Sequence, residues 1–585
     1  MLLGLGVLAL CVTYAALVVC SASYSEVRRL DLIFPFYGEP IRVFTAAAFT
    51  RFQLMMGASS LMLVLILGAL RFSVKSRQEF ASLGSEVYGL WQNLWSSLTA
   101  RTKAQRYQAG IALAALTLVR VYLSIDNPAY DDAVSYEVFV SKGLLATTAY
   151  YPIPNNHVFS NSISVLFYQL SPKFWWTMRL PVLLVSTGVT LFLFAGLNRL
   201  AGFRTSFAAV ALFSCLQLSL YHAGVGRGYW LMIGLAGVVF FSTLVLSSGR
   251  GHHQAAWAAM ALAGVLGCYT VPPFVYALAS AFSWLGISYL YRRQWTQAGQ
   301  TFAVGIVIGA GSMALYGPLL FVSGPAHLLG NGYVASLKPA LFWDGLPSYV
   351  WHNEGFLAGQ RTLGAFITLP VLALVTWLLY LGHANRLPPA PAHRLHRLGL
   401  PALWFMSFPY ALILVQRVFP PERVLLYKAF FFFVVVGLVL DWALEQGAKT
   451  TRHRLQAVLA VVIAAFVTYQ TYSVIRVNPA ARGSNAAYHA GLQWLAAQPP
   501  GPALIPEPTH NLFFRFYAHS EMPERQWQMD DVQLGHKRYA YVVAFPNKRG
   551  FFQPLFNFPP AYRNQEVDIY RVPPNYPLNA NAWRH

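Results

Sequence analysis

Asn127-Pro128-Ala129-Tyr130-Asp131-Asp132-Ala133-Val134-Ser135-Tyr136-Glu137 follows closely on an apolar run, Ala109 to Ile125, and leads to a polar cluster at Asn155-Asn156-His157. Only 21 of the 585 residues are Asp or Glu, yet Asp126, Asp131, Asp132 and Glu137 fall within 12 positions. A charged side chain at the centre of a bilayer costs about 2.5–3.5 kcal/mol on insertion scales, so an acidic cluster at the end of an apolar run belongs at a membrane surface. In a chain so poor in acids, that concentration marks a working loop. The stretch reads as a functional loop at the membrane surface.

Working outward from it, composition sets the class. Hydrophobic residues make up 56% of the chain and charged residues 11%, against roughly 25% charged in a soluble globular protein. Apolar runs of about 17–22 residues recur, which predicts an all-α polytopic membrane protein. Spans are expected to begin near residues 2, 54, 108, 180, 206, 229, 254, 272, 300, 362, 400, 424 and 455, about 13 in all. The first, Met1 to about Ser23, lacks the basic start and the cleavage site of a secretory signal and reads as a retained span. The four cysteines, Cys11, Cys20, Cys215 and Cys268, all lie in apolar runs and form neither a disulfide framework nor a metal-ligand spacing.

The net charge of +21 does not point to nucleic acid, because the basic residues sit in short clusters between apolar runs. Arg71, Lys75, Arg77, Arg101, Lys103 and Arg106 form one such cluster, and Arg199 with Arg204, Arg250, Arg292 with Arg293, Arg386 to Arg397 and Lys449 to Arg454 form the others. Alternate loops hold most of the acids. By the positive-inside rule the amino terminus is cytoplasmic, and the acidic loop and carboxyl terminus are extracytoplasmic. The loop 24–53, with four arginines, runs against this pattern locally. The arrangement places the chain in a plasma (inner) membrane.

Two segments are amphipathic without being spans. Phe159, Ile163, Leu166, Phe167 and Leu170 recur at helical spacing within a run too short to cross, so an interfacial helix is expected there. Phe80, Leu83, Val87, Leu90, Leu94 and Leu98 predict a second surface helix on the basic side. After Tyr472 the pattern changes to a helical segment, Asn485 to Ala497, and strand-like runs at 503–506, 539–545 and 567–572. These predict a small extracytoplasmic α/β domain. Three regions follow: 1–107, a two-span extension; 108–475, a catalytic membrane domain; and 476–585, the α/β domain.

The order of motifs resembles the GT-C superfamily of lipid-phospho-sugar glycosyltransferases, which includes protein O-mannosyltransferases and aminoarabinose transferases of lipid A. The matching residues are Asp131-Asp132, then Pro154-Asn155-Asn156-His157, Arg179-Leu180-Pro181, Gly226-Arg227-Gly228-Tyr229, Tyr269-Thr270 and Pro421-Glu422-Arg423. The second acid is Asp where Glu is common in the family, and two extra spans precede the usual first one. The resemblance covers about residues 108–475. It implies a hexosyl- or pentosyltransferase with a polyprenyl-phosphate-linked sugar donor and a glycan, lipid or protein acceptor.

Such a transfer needs a base for the acceptor hydroxyl and cations for the departing phosphate. The resemblance assigns the base to Asp131, which as a residue also suits a helix cap. Asp132 either orients the base, binds a divalent cation or caps the helix, so metal dependence stays open. Asn155, Asn156 and His157 suit sugar hydroxyls or the capping of the following helix, and His157 supplies only part of a metal site. Arg227, between glycines and beside Tyr229, offers a planar fork to a phosphate or snorkels to the interface. Arg423, in an outer loop, either binds the carrier phosphate in the same way or is paired by the adjacent Glu422, and Arg179 reads as a support of the loop. A polytopic transporter is the rival function, but its polar groups would sit at mid-bilayer rather than at span ends.

Overall fold

The computed structural model describes residues 2–33, 40–249, 253–330, 335–446, 449–476, 479–534, 537–546, 556, 558–574, 576 and 578. Arg250, one of the expected basic-side residues, lies outside them. Among the described residues eleven helices are long and apolar enough to cross a membrane, or twelve when the bent pair Phe203–Cys215 and Gln217–Gly224 counts as one span, so the expected count of about 13 is not confirmed. The segment expected near residue 254 is indeed a helix, His253–Thr270. It opens on His253 and Gln254 and is built largely of alanine and glycine, so it falls short of a span by composition.

The spans form a layered bundle. Glu422–Gln446 is the most enclosed, with 83% of its apolar window buried, whereas Ala46–Leu70 and Arg452–Ile475 lie at the rim with 6% and 11%. Lipid tails are as apolar as leucine, so close packing rather than water exclusion must hold such helices together. Gly234 shows the device. A Cβ there would stand 2.5 Å from Val189 of the helix Trp175–Ala201, so only glycine lets these two helices approach this closely.

Both amphipathic segments are helices. Val158–Tyr168 follows the polar cluster, and Val74–Thr99 runs between the second and third spans. The latter is stitched to the bundle by Ser97 Oγ on the Ala195 carbonyl (3.1 Å), by Asn198 Nδ2 on the Ser97 carbonyl (2.6 Å) and by the Ala255 N–H on Glu86 Oε2 (2.9 Å).

Beyond the last span a small mixed sheet forms from β1 (Ala503–Leu504), β2 (Met529–Asp530), β3 (Tyr541–Ala544), β4 (Tyr562–Arg563) and β5 (Asp568–Arg571). Its order is β2-β1-β3-β5-β4, with β1 parallel to both neighbours and β5 antiparallel to both of its own. The helices Pro479–Ala496 and Pro508–Glu521 accompany it. One apolar core is shared between this sheet and the acidic loop, with Val134, Tyr136 and Phe139 joining Phe513, Phe514, Phe516, Val543 and Ile569. The loop is therefore held from both sides, by the bundle and by the carboxyl-terminal layer.

Candidate functional site

The acidic pair opens a short helix, Tyr130–Val134, that continues into a π-helical turn, Ser135–Phe139. Such wide turns recur at functional sites. Consecutive helical residues point about 100° apart, and the pair divides accordingly. Asp131 keeps 44% of its side chain exposed, whereas Asp132 is fully buried. Asp132 Oδ2 accepts the Ala129 N–H at 3.2 Å, closing the first turn, and Arg179 Nη2 at 2.9 Å. Arg179, itself buried, also donates to the Gly224 carbonyl and stacks over Phe174 at 5.0 Å. Burial raises the Asp132 carboxyl above its ordinary range, and Arg179 and Arg227 oppose that rise. Of the two acids, only Asp131 faces open space.

Arg227 is not the snorkelling side chain that the sequence allowed. It is only 4% exposed and ties three segments together. Its Nη1 donates to Ser135 Oγ (3.0 Å), to the Asn155 carbonyl (2.9 Å) and to Asn155 Oδ1, and Nη2 lies 3.8 Å from Asp131 Oδ2. Nη2 also meets His157 Nε2 at 3.1 Å, while His157 Nδ1 accepts the Gly228 N–H at 3.0 Å. Both ring nitrogens thus face N–H groups. Burial, then the charges of Arg227 and Arg423, hold the imidazole well below its usual pKa, so it stays neutral. Gly228 is required for this approach, because a Cβ would stand 2.8 Å from Thr270 Cγ2 and 3.2 Å from His157 Nδ1.

The remaining sequence-selected residues differ in placement. Asn155 Nδ2 donates to the Asp131 carbonyl at 3.1 Å and so belongs to the Asp131 environment. Asn156 is turned away, donating to the Thr147 carbonyl (2.7 Å) and accepting from Asn161 (2.9 Å). Its surroundings are those of a loop staple. Tyr229 stacks edge-on against His157, with ring centroids 4.8 Å apart.

Asp131, Arg227, Tyr229 and Arg423 come together on one cavity of about 450 Å³. The opposite wall was not singled out in the sequence. Ser484, Asn485 and Tyr488 of the helix Pro479–Ala496, with Thr509 and Phe513 of Pro508–Glu521, supply it. Asn485 Nδ2 reaches the Pro128 carbonyl at 2.6 Å, locking that wall to the acidic loop. A second lock lies beyond the cavity. Glu137, buried, meets Lys142 Nζ (3.2 Å), Arg515 Nη2 (3.1 Å) and His519 Nδ1 (2.7 Å). Burial alone would push Glu137 upward, but the charge of Lys142, the hydrogen bond with His519 and the charge of Arg515 outweigh it and bring it down to about 2. Nothing local in the sequence announces this lock, since Arg515 and His519 lie more than 370 positions from Glu137.

Among the described residues no group of three or more His, Cys, Asp or Glu side chains is placed to hold a metal ion. Asp131 offers one carboxylate, and the ring nitrogens of nearby His157 are engaged with N–H donors. The donor set does not fit a protein-held divalent cation.

No family model matches the chain, and no curated protein matches it. Among solved structures it is similar to ArnT from Cupriavidus metallidurans in the apo state, at TM-score 0.52 and 13% identity. That alignment covers 79% of this chain and 97% of ArnT. The same enzyme bound to undecaprenyl phosphate aligns at TM-score 0.50, with the same identity and coverage. The arabinosyltransferase EmbB from Mycobacterium smegmatis aligns at TM-score 0.35 and 14% identity over 75% of this chain and 46% of EmbB. The likeness to ArnT is one of fold: a multi-pass helical membrane protein with a small carboxyl-terminal sheet region.

Proposed function

We propose that the chain is a membrane glycosyltransferase that moves a sugar from a polyprenyl-phosphate carrier to an acceptor hydroxyl. The observation that carries this reading is the single cavity on which an exposed carboxylate, Asp131, meets two guanidinium groups, Arg227 and Arg423. The fold shared with ArnT, whose structure has been solved with undecaprenyl phosphate, supports it.

In the proposed step the acceptor oxygen attacks the anomeric carbon while Asp131 takes the acceptor's proton. The bond between that carbon and the phosphate oxygen breaks, and the carrier phosphate leaves with the bonding electrons. The leaving group is already an anion, so cations rather than an acid stabilise it. Arg423 lines the cavity and is assigned to the phosphate. Arg227, largely engaged by the protein, orients Asp131 and adds positive charge behind it. Asp132 and Arg179 set the pitch of the loop, and Asn155, Asn156 and His157 hold its far end, with Tyr229 closing the cavity floor.

The regions 1–107, 108–475 and 476–585 are proposed as extension, catalytic domain and extracytoplasmic domain, in a plasma (inner) membrane with the amino terminus cytoplasmic. Purified protein incubated with a panel of polyprenyl-phospho-sugars should release carrier phosphate from at least one of them. Uptake of an intact substrate into sealed vesicles, with no carrier phosphate released, would instead identify a transporter.

A further inference from the structure

A second cavity, of about 270 Å³, lies between the helices Lys103–Ser124, Trp175–Ala201 and Phe203–Cys215. Its walls are apolar, with Leu113, Leu191, Phe194 and Phe207 among them, and Arg101, Gln105 and Arg106 stand at its mouth. The mouth lies at the amino end of Lys103–Ser124, whereas Asp131 follows the carboxyl end. At 1.5 Å per residue this puts the basic mouth about 30 Å from the acidic loop, roughly the thickness of the hydrocarbon layer.

Two independent features meet here. One is charge: no Asp or Glu occurs in 98–125 or 190–215, while Arg101, Lys103, Arg106, Arg199 and Arg204 do. Arg101 commits one N–H to the Asn198 carbonyl at 3.0 Å, and Arg106 is exposed. The positive-inside rule accounts for cations on this side but requires no hollow beside them. The other is shape: Gly110 is exposed, and nothing stands within 4 Å of where its Cβ would be, so the cavity opens laterally as a groove. An apolar void of about 150 Å³ already takes up benzene, since an empty one forfeits its dispersion contacts.

We propose that this groove holds one anionic glycerophospholipid, its headgroup on Arg101 and Arg106 and part of an acyl chain against Leu113 and Phe194. An anionic head joined to an apolar chain matches both features at once, and neither a zwitterionic lipid nor a soluble anion does. The bound lipid fastens the helix Lys103–Ser124, which carries the acidic loop at its far end, to its two neighbours.

Protein purified in neutral detergent is titrated with phosphatidylglycerol, phosphatidylcholine or polyprenyl phosphate, and bound lipid is counted by native mass spectrometry. Melting temperature is followed in parallel. One phosphatidylglycerol should be retained in preference to phosphatidylcholine and should raise the melting temperature. The double variant Arg101→Ala, Arg106→Ala should bind it about 30-fold more weakly, the equivalent of roughly 2 kcal/mol for two cations facing an anionic lipid. Gly110→Leu, which fills the opening without touching a charge, should lower retention while leaving the lipid-free melting temperature unchanged. Equal binding of phosphatidylcholine, preferential retention of polyprenyl phosphate, or undiminished phosphatidylglycerol binding by both variants would each overturn the proposal.

Discussion

Replacing Asp132 by Asn should cost the protein more stability than the same change at its neighbour Asp131. Asp132 is fully buried, 2.9 Å from an Arg179 that is itself 2% exposed. Removing the carboxylate charge leaves a guanidinium inside the protein with the Gly224 carbonyl and the Phe174 ring as its remaining company. Breaking a buried ion pair from one side costs about 3–5 kcal/mol. Asn still offers an oxygen to the Ala129 N–H and to Arg179, so the lower end, about 3 kcal/mol, is expected. At Asp131 the partner Arg227 stands 3.8 Å away and the carboxylate is 44% exposed, so a change within about 1 kcal/mol is expected there. The assay is denaturant-induced unfolding in nanodiscs, with turnover normalised to folded protein. The double variant Asp132→Leu, Arg179→Met removes both charges and should recover most of the lost stability, because apolar replacement of a whole buried pair is often neutral. Asp132→Asn as stable as wild type, or Asp131→Asn equally destabilised, would refute this division of roles.

Arg423→Ala should weaken donor affinity with little loss of stability, whereas Arg227→Lys should lose both, since one ammonium cannot replace a fork shared among Ser135, Asn155 and His157; unfolding and donor titrations on the two variants check this. The Glu137 lock should respond to acid. Its folded pKa of about 2 lies below the ordinary glutamate value of 4.5, so its contribution is complete above the latter and fades as pH falls toward 2. Glu137→Gln should abolish that part of the acid dependence and speed hydrogen exchange in Pro508–Glu521; unchanged exchange would contradict the lock. In a cysteine-free background, a single cysteine at exposed Thr362 should react with an impermeant thiol reagent in intact cells and one at exposed Ser85 should not, with the reverse pattern inverting the proposed orientation.

How much of this was legible in the sequence depended on the range of the interactions. Apolar length and helical spacing are local signals, and they delivered most of the spans, both amphipathic helices and the carboxyl-terminal α/β region. The segment expected as a span near residue 254 is a helix whose described part opens on His253 and Gln254, and these two polar residues lower its apolar character below that of the other spans. Asp131 and Arg423 were recognisable, each lying near the end of an apolar run and facing the cavity. The burial of Asp132 and Arg227 was not, since it depends on Arg179 and Asn155, brought to them by tertiary packing. The helix Pro508–Glu521 escaped because Phe513, Phe514 and Phe516 are interleaved with Asn511, Arg515 and His519. Arg515 and His519 find their partner only in Glu137, far away in sequence.

The central claim is that Asp131 removes the acceptor's proton as the carrier phosphate departs. The most direct measurement is single-turnover release of polyprenyl phosphate from the matched donor and acceptor, by wild type and by Asp131→Asn at saturating donor. Asn preserves shape and the outward position but has no basic carboxylate. Release should slow by about 100-fold or more, the scale of general-base loss, with donor affinity and melting temperature near wild type. Release by Asp131→Asn at the wild-type rate would contradict the account.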